Sequence, residues 1–124
     1  MDDAGRLVAR TLKTHGVEVV FALCGDHTNA IFEGCAAEGV RIVDARDERG
    51  AAWMACGYAL STGRTGVVMV TGGPGLTNAV TALADAQATG VPLVCITGGV
   101  GLSQRGQGHP GDLDQIAVVR PVSK

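Results

Sequence analysis

Residues 66–75, GVVMVTGGPG, carry the clearest structural signal in the chain. Gly66 to Thr71 is an almost unbroken apolar run rich in valine, and β-branched residues favour strands. The glycine-rich residues 72–75 predict a tight turn. Pro74 stands where a helix can begin, because the N–H that proline lacks would have no helical partner at that position. The segment therefore predicts a buried strand, a turn and the start of a helix.

The same alternation continues on both sides. Short apolar runs predict three further strands, over residues 17–23, 40–44 and 91–97. Helical spacing of apolar residues, with glycine stop signals, predicts helices over residues 3–14, 28–38, 47–60 and 74–90. The first of these helices should bury Ala4, Leu7, Val8 and Leu12. Apolar strands that alternate with helices predict one α/β domain over residues 1–124, with a doubly wound parallel sheet.

The last quarter of the chain is less regular. Residues 98–112 contain six glycines, Pro110 and several polar residues, so we expect an irregular, mobile loop. The apolar residues 116–119 are expected to begin another strand.

Composition excludes several classes of function. The net charge is −2 and no Lys/Arg cluster occurs, so we expect neither a nucleic-acid nor a membrane partner. The N-terminus has no pattern of a signal peptide, and no apolar run is long enough to span a bilayer. The four cysteines form no C-x-x-C pair and have no histidine at metal-ligand spacing. Three of them lie in apolar patterns and should be small buried residues, which favours a reducing, cytoplasmic setting.

A ligand should bind at the carboxyl ends of the strands, where the turns meet the N-termini of the helices. Four turns share that edge: residues 24–27, 46–48, 72–75 and 98–99. None contains a P-loop or a dinucleotide motif, so the pattern alone leaves the ligand open. Glu48 should point into this edge, although an acid in the first turn of a helix can equally serve to complement the helix dipole.

Two motifs carry a resemblance to a known family. Residues 46–59, RDERGAAWMACGYA, precede residues 66–78, GVVMVTGGPGLTN. They resemble the family of acetolactate synthase, pyruvate oxidase, benzaldehyde lyase and 2-hydroxyacyl-CoA lyase, whose members read roughly R-H-E-x-x-A-x-x-M-A-x-G-Y-A and T-S-G-P-G-x-T-N at the same separation. The chain resembles their N-terminal aminopyrimidine-binding domain over nearly its whole length. The resemblance implies a flavodoxin-like thiamine-diphosphate-binding fold, here incomplete at its C-terminal end.

The resemblance implies catalytic roles for two residues. Glu48 would hydrogen-bond a ring nitrogen of the aminopyrimidine and so activate the cofactor for attack on a 2-keto acid or related acyl donor. His27 would assist proton transfer, as a histidine does in the benzaldehyde lyase and hydroxyacyl-CoA lyase branch. A histidine at the start of a helix is otherwise most often a solvated neighbour of the cap. The implied cofactor-binding residues are Gly25, Glu48, Gly72, Pro74 and Asn78.

Further expectations concern partners. Members of the family continue into a domain that binds the diphosphate through Mg²⁺, and this chain has no metal motif of its own. We therefore expect it to be inactive alone, as a fragment of a longer enzyme or as a subunit of a homo- or hetero-oligomer that supplies the diphosphate-binding domain. Some acetolactate synthase relatives also carry FAD, but no residue of this chain supports FAD binding.

The chain departs from the family at three places. Asp47 replaces a histidine, and Gly72 replaces a serine. Residues 109–112, HPGD, stand where relatives often carry F-Q-E or L-Q-A with an active-site glutamine, and Gln107 or Gln115 could take its place only after a loop rearrangement. A noncatalytic regulatory or binding remnant of the same fold remains the main alternative, and flavodoxin-like nucleotide binding a weaker one.

Overall fold

A four-stranded parallel sheet organises the computed structural model, which describes residues 3–124. The strands are β1 (Val19–Ala22), β2 (Arg41–Asp44), β3 (Gly66–Val70) and β4 (Leu93–Thr97), in the order β2-β1-β3-β4. The helices are α1 (Ala4–Thr14), α2 (Asn29–Glu38), α3 (Glu48–Thr62), α4 (Pro74–Thr89) and α5 (Gln115–Val119). Short 3₁₀ helices cover Asp26–Thr28, Leu102–Gln104 and Arg120–Val122.

Helices cover both faces of this sheet. Buried residues of α1 and α2 form one cluster with Val20, Val67 and Met69. Buried alanines of α3 and α4 form the second cluster with Val68 and Val70. The side chains of β3 thus alternate between two cores, and all five of its residues are buried. The predicted doubly wound α/β fold is confirmed.

Strand β3 lies between β1 and β4, and its register aligns the three strand ends. Phe21 of β1 pairs with Val68, and Val68 pairs with Cys95 of β4. The turns that follow β1, β3 and β4 therefore emerge side by side at one edge. Any site built from these turns depends on this register.

Three of the glycine stop signals are confirmed as helix caps, whereas the cap of α1 is His15, one residue before Gly16. Gly39, Gly63 and Gly90 follow α2, α3 and α4 with φ of 72°, 69° and 72°, in the left-handed region that favours glycine. Sequence and structure agree on these helix ends because the backbone conformation that closes each helix is one that residues with a Cβ rarely adopt.

The predicted buried face of α1 is partly wrong. Leu7 is 51 % exposed, and the buried residues of the helix are Gly5 and Ala9. The cause is a close crossing of α1 and α2, since a Cβ added at Gly34 would lie 2.5 Å from Gly5 O. The crossing brings the small residues of α1, rather than Leu7, against α2.

The predicted strand at residues 116–119 is also wrong, because these residues belong to helix α5. Asp114 caps this helix, and its side chain accepts a hydrogen bond from Ala117 N at 3.0 Å. Ile116 is 69 % exposed. A local cap therefore outweighs the strand preference of the β-branched residues.

The loop over residues 98–112 is irregular, as predicted, and includes the 3₁₀ helix Leu102–Gln104. Apart from this 3₁₀ helix, residues 98–112 contain no regular secondary structure. No helix within residues 3–124 is both long and apolar enough to cross a membrane.

All four cysteines are free thiols. Cys35 and Cys56 are buried, which raises the pKa of both thiols. Cys95 is only partly exposed on β4, and burial raises its pKa to about 11. Cys24 is exposed. The three cysteines in apolar patterns thus belong to the packed part of the domain.

The α1–α2 crossing gives a test of the fold. Gly34→Ala should lower the free energy of unfolding by about 1–3 kcal/mol, because the new methyl group would press on the backbone of Gly5. Gly57→Ala is the matched control, since Gly57 is also helical and a Cβ there would meet nothing within 4 Å. The control should raise stability by about 0.5–1 kcal/mol. Urea unfolding measures both, and similar changes in the two variants would contradict the close crossing.

Candidate functional site

Two adjacent acids begin α3, and they have different partners. Asp47 is the N-cap, and its side chain accepts a hydrogen bond from Arg49 N at 2.8 Å. The same carboxylate forms an ion pair with Arg49 Nε at 2.8 Å. Asp47 thus satisfies the start of the helix, so capping does not explain Glu48.

The Glu48 carboxylate faces α4 instead. Its Oε2 accepts a hydrogen bond from Asn78 Nδ2 at 3.0 Å. Its Oε1 lies beside Gly75, where an added Cβ would be 3.3 Å away. The structure therefore joins two of the residues that sequence analysis assigned to the cofactor, Glu48 and Asn78, although they lie 30 positions apart.

His27 lies in the 3₁₀ turn after β1. Its Nδ1 is 3.1 Å from Thr71 Oγ1, in a partly buried contact. Thr71 also packs on both neighbouring turns, since a Cβ at Gly25 would lie 2.4 Å from its Cβ and a Cβ at Gly75 would lie 2.9 Å from its Cγ2. Thr71 thus contacts His27 on one side and reaches the glycine that borders Glu48 on the other.

Glycines let the strand-end turns approach one another closely. A Cβ at Gly72 would lie 2.6 Å from Gly98 O, and one at Gly98 would lie 2.3 Å from His27 Cβ. Gly73 has φ of 70°, and a Cβ there would meet Gly111 Cα at 2.5 Å. Close packing within the protein thus accounts for glycine at Gly25 and Gly72, and their role in binding a cofactor stays a prediction.

Gln115 also reaches this edge. Its Oε1 accepts hydrogen bonds from Gly73 N at 3.2 Å and Thr97 Oγ1 at 3.0 Å, and its Nε2 donates to Gly98 O at 2.8 Å. Gln107 instead donates to Ser103 O in the exposed loop. Gln115 thus lies at the strand ends without any rearrangement, but its amide is engaged by protein groups.

Thr71 is not among the residues predicted for the site. The available signal was its position, since it is a polar residue directly after the central buried strand, at the edge where ligands bind. No comparable signal in the sequence indicated the hydrogen bonds of the Gln115 side chain, because their partners lie 17, 18 and 42 residues away.

The other predicted site residue, Pro74, is exposed at the first position of α4, as its fixed φ favours. Among residues 3–124, no three His, Cys, Asp or Glu side chains lie close enough together to hold a metal ion. An apolar groove of about 670 Å³ runs between α4 and β4 and reaches Gln115, but neither Glu48 nor His27 lines it.

The ion pair beside Glu48 makes stability depend on pH. Hydrogen bonds from the Arg49 side chain lower the pKa of Asp47 from 3.8 to about 2. A carboxyl whose pKa is lower in the folded state stabilises that state above its unfolded pKa, and this stabilisation is lost as the pH falls through the folded pKa.

Asp47→Asn tests this dependence, because asparagine keeps the helix cap and removes only the charge. We expect wild type to be more stable than the variant near neutral pH, with the difference shrinking between about pH 4 and about pH 2. Urea unfolding of both proteins across this range measures it. A difference that stays constant down to about pH 2 would contradict the assignment.

The chain is similar to enzymes that are much longer. It is 41 % identical over 121 residues to the acetolactate synthase large subunit IlvG of Mycobacterium tuberculosis, covering 98 % of this chain and 22 % of the relative. It is 42 % identical over 120 residues to 2-hydroxyacyl-CoA lyase 2 of Danio rerio, covering 97 % of this chain and 19 % of the relative. The chain thus spans about a fifth of the length of these curated relatives.

A match to a family model agrees with these relatives and covers the site at the strand ends. Residues 2–118 match the family described as "Thiamine pyrophosphate enzyme, N-terminal TPP binding domain". The match includes β1 to β4 and every predicted site residue from Gly25 to Asn78. The chain therefore belongs to the family of N-terminal thiamine-pyrophosphate-binding domains of thiamine-pyrophosphate enzymes.

Proposed function

We propose that this chain holds the aminopyrimidine half of thiamine diphosphate and that Glu48 activates the cofactor through a hydrogen bond to a ring nitrogen. The observation that carries the proposal is the state of the carboxylate. Asn78 binds Oε2, whereas Oε1 accepts no hydrogen bond from any of residues 3–124. Oε1 borders Gly75, and because glycine has no side chain, position 75 would not obstruct a planar hydrogen-bond donor that approaches Oε1. The hydrogen bond at Oε2 thus orients the carboxylate, and Oε1 is available to a cofactor.

His27 is the second proposed catalytic residue. Its Nδ1 contacts Thr71 Oγ1, which leaves Nε2 as the ring nitrogen for proton transfer to a reacting group. We propose that Gly25, Gly72 and Pro74 form the wall of the pyrimidine pocket with backbone and ring atoms.

The activity of the whole protein follows from the cofactor and the relatives. Thiamine diphosphate supplies an electron sink for cleavage or formation of a bond next to a carbonyl. We propose a 2-keto acid decarboxylase or carboligase of the acetolactate synthase type, or a C–C lyase, assembled as an oligomer. The diphosphate and Mg²⁺ would be held by a further domain, and FAD by residues outside this chain. The four free thiols support a cytoplasmic location.

One observation favours the noncatalytic alternative. Residues 109–112 stand where relatives often carry an active-site glutamine, and a Cβ at Gly111 in this segment would lie 2.9 Å from His27 Cε1. Position 111 is therefore beside the proposed catalytic histidine, yet it offers no side chain. A protein that binds the cofactor without turnover would fit this arrangement.

Glu48→Gln separates the two functions. The chain is combined with the diphosphate-binding domain of its own protein, thiamine diphosphate and Mg²⁺, and decarboxylation of pyruvate and longer 2-keto acids is measured. The variant should lose about 10²–10⁴-fold in turnover, because a neutral amide cannot take part in the proton transfer. Glu33→Gln, at an exposed position of α2, is the matched control and should be as active as wild type. Equal activity of both variants would refute the role of Glu48, and a wild type that binds the cofactor without turnover would support the remnant.

A second variant tests the geometry around the carboxylate. Gly75→Ala would place a methyl group 3.3 Å from Glu48 Oε1 and 2.9 Å from Thr71 Cγ2. We expect the Kd for thiamine diphosphate to rise about tenfold, because the tightened contact shifts the carboxylate. Gly50→Ala is the control. Gly50 lies on the same helix as Glu48, and a Cβ there would meet nothing within 4 Å. Calorimetric titration of the assembled protein measures both, and an unchanged Kd for Gly75→Ala would count against a pocket at Oε1.

A further inference from the structure

Gln115 connects three groups at the strand ends that are distant in sequence. Its Oε1 accepts from Gly73 N and from Thr97 Oγ1, and its Nε2 donates to Gly98 O. The identity of the amide atoms follows from these partners, since the Gly73 N–H faces one end of the amide and the Gly98 carbonyl oxygen faces the other. The side chain is partly buried, its oxygen accepts two hydrogen bonds, and one of its two amide N–H groups donates a third.

One of these bonds fixes the start of α4. Gly73 is the N-cap of α4, its φ is 70°, and it has no side chain with which to cap the helix. Its own N–H is met by Gln115 Oε1. Helix α4 carries Asn78, whose side chain binds Glu48 Oε2. A shift of the Gly72–Gly73 turn would therefore move the donor that orients the proposed activating carboxylate.

The opposite end of the amide fixes the turn under His27. Gln115 Nε2 donates to Gly98 O, and Gly98 packs so closely on His27 that a Cβ there would lie 2.3 Å from His27 Cβ. The Thr97 hydroxyl, the third partner, also lies 3.2 Å from Thr71 O. One primary amide thus links both sides of the proposed site, the Glu48–Asn78 pair and His27.

We propose that Gln115 is a positioning residue for the cofactor site, which holds the turns of β3 and β4 so that Asn78 and His27 are correctly placed. The inference rests on the proposed function of Glu48 and His27. The positioning role requires a glutamine at position 115 for a chemical reason. A glutamate would place an oxygen against Gly98 O, and a methionine, whose side chain has nearly the same length, would lose all three hydrogen bonds.

The first test uses wild type alone. In NMR spectra of the 124-residue chain, the Gln115 side-chain amide protons should show contacts to Gly98 and slow exchange with water. A rapidly exchanging side-chain amide without contacts to Gly98 would overturn the proposal. This measurement needs neither a variant nor the cofactor.

The second test compares Gln115→Met and Gln115→Glu with Gln107→Met, a matched change in the adjacent exposed loop. Both Gln115 variants should shift the amide signals of Gly73 and Asn78, and Gln115→Met should also shift the ring proton signals of His27, which packs against Gly98. The control should do neither. In the assembled protein, the Gln115 variants should raise the Kd for thiamine diphosphate about tenfold, below the roughly hundredfold that a misplacement of about 1 Å can cost.

The outcomes separate this inference from the proposed function. If wild type binds no thiamine diphosphate, the proposed function fails, while the NMR shifts still decide whether Gln115 places Asn78 and His27. If wild type binds it and the Gln115 variants bind equally well with unchanged signals at Asn78, the positioning role is refuted. If Gln115→Met does not fold, Gln115→Glu, which keeps both acceptor bonds, and the wild-type exchange rates give the answer.

Discussion

The close approach of the turns after β1, β3 and β4 is the constraint on which the rest of the site depends. Parallel register brings these strand ends side by side, but register alone leaves room for side chains between them. Glycines at positions 25, 72 and 98 remove that room, so backbone and side chains of neighbouring turns meet directly. The result is that His27 packs against Gly98 and contacts Thr71, although the three residues come from three different strand ends.

The two adjacent acids at the start of α3 have different roles, since Asp47 caps the helix and Glu48 binds Asn78. Asp47 is bound to Arg49 and to the helix N-terminus, which holds its pKa near 2 and keeps it charged. That leaves Glu48, one position later, to point toward α4 and meet Asn78. Where the family pattern has a histidine, this chain has a charged helix cap at Asp47.

Local signals account for what could be predicted from the sequence. The strands, the helix ends at Gly39, Gly63 and Gly90, and the fold class follow from apolar runs and from a backbone conformation that favours glycine. The errors had two causes, a contact distant in sequence at α1 and a local helix cap at residues 116–119. Leu7 matches a helical apolar face, yet the glycine crossing of α1 and α2 turns Gly5 and Ala9 inward. Residues 116–119 fit a strand, but no neighbouring strand pairs with them within the described chain, and Asp114 caps a helix instead.

The site was predictable as a set of residues and not as a set of contacts. Family motifs identify Glu48, Asn78 and His27, but motifs carry no distances, and the residues that join them were not among the predicted ones. Thr71 provides that connection: it contacts His27 through its hydroxyl group and packs against Gly75, which borders the Glu48 carboxylate. His27 and the glycine beside Glu48 thus both pack against this one threonine. The acid and the histidine therefore belong to one packed unit, and that unit is set by the central strand β3.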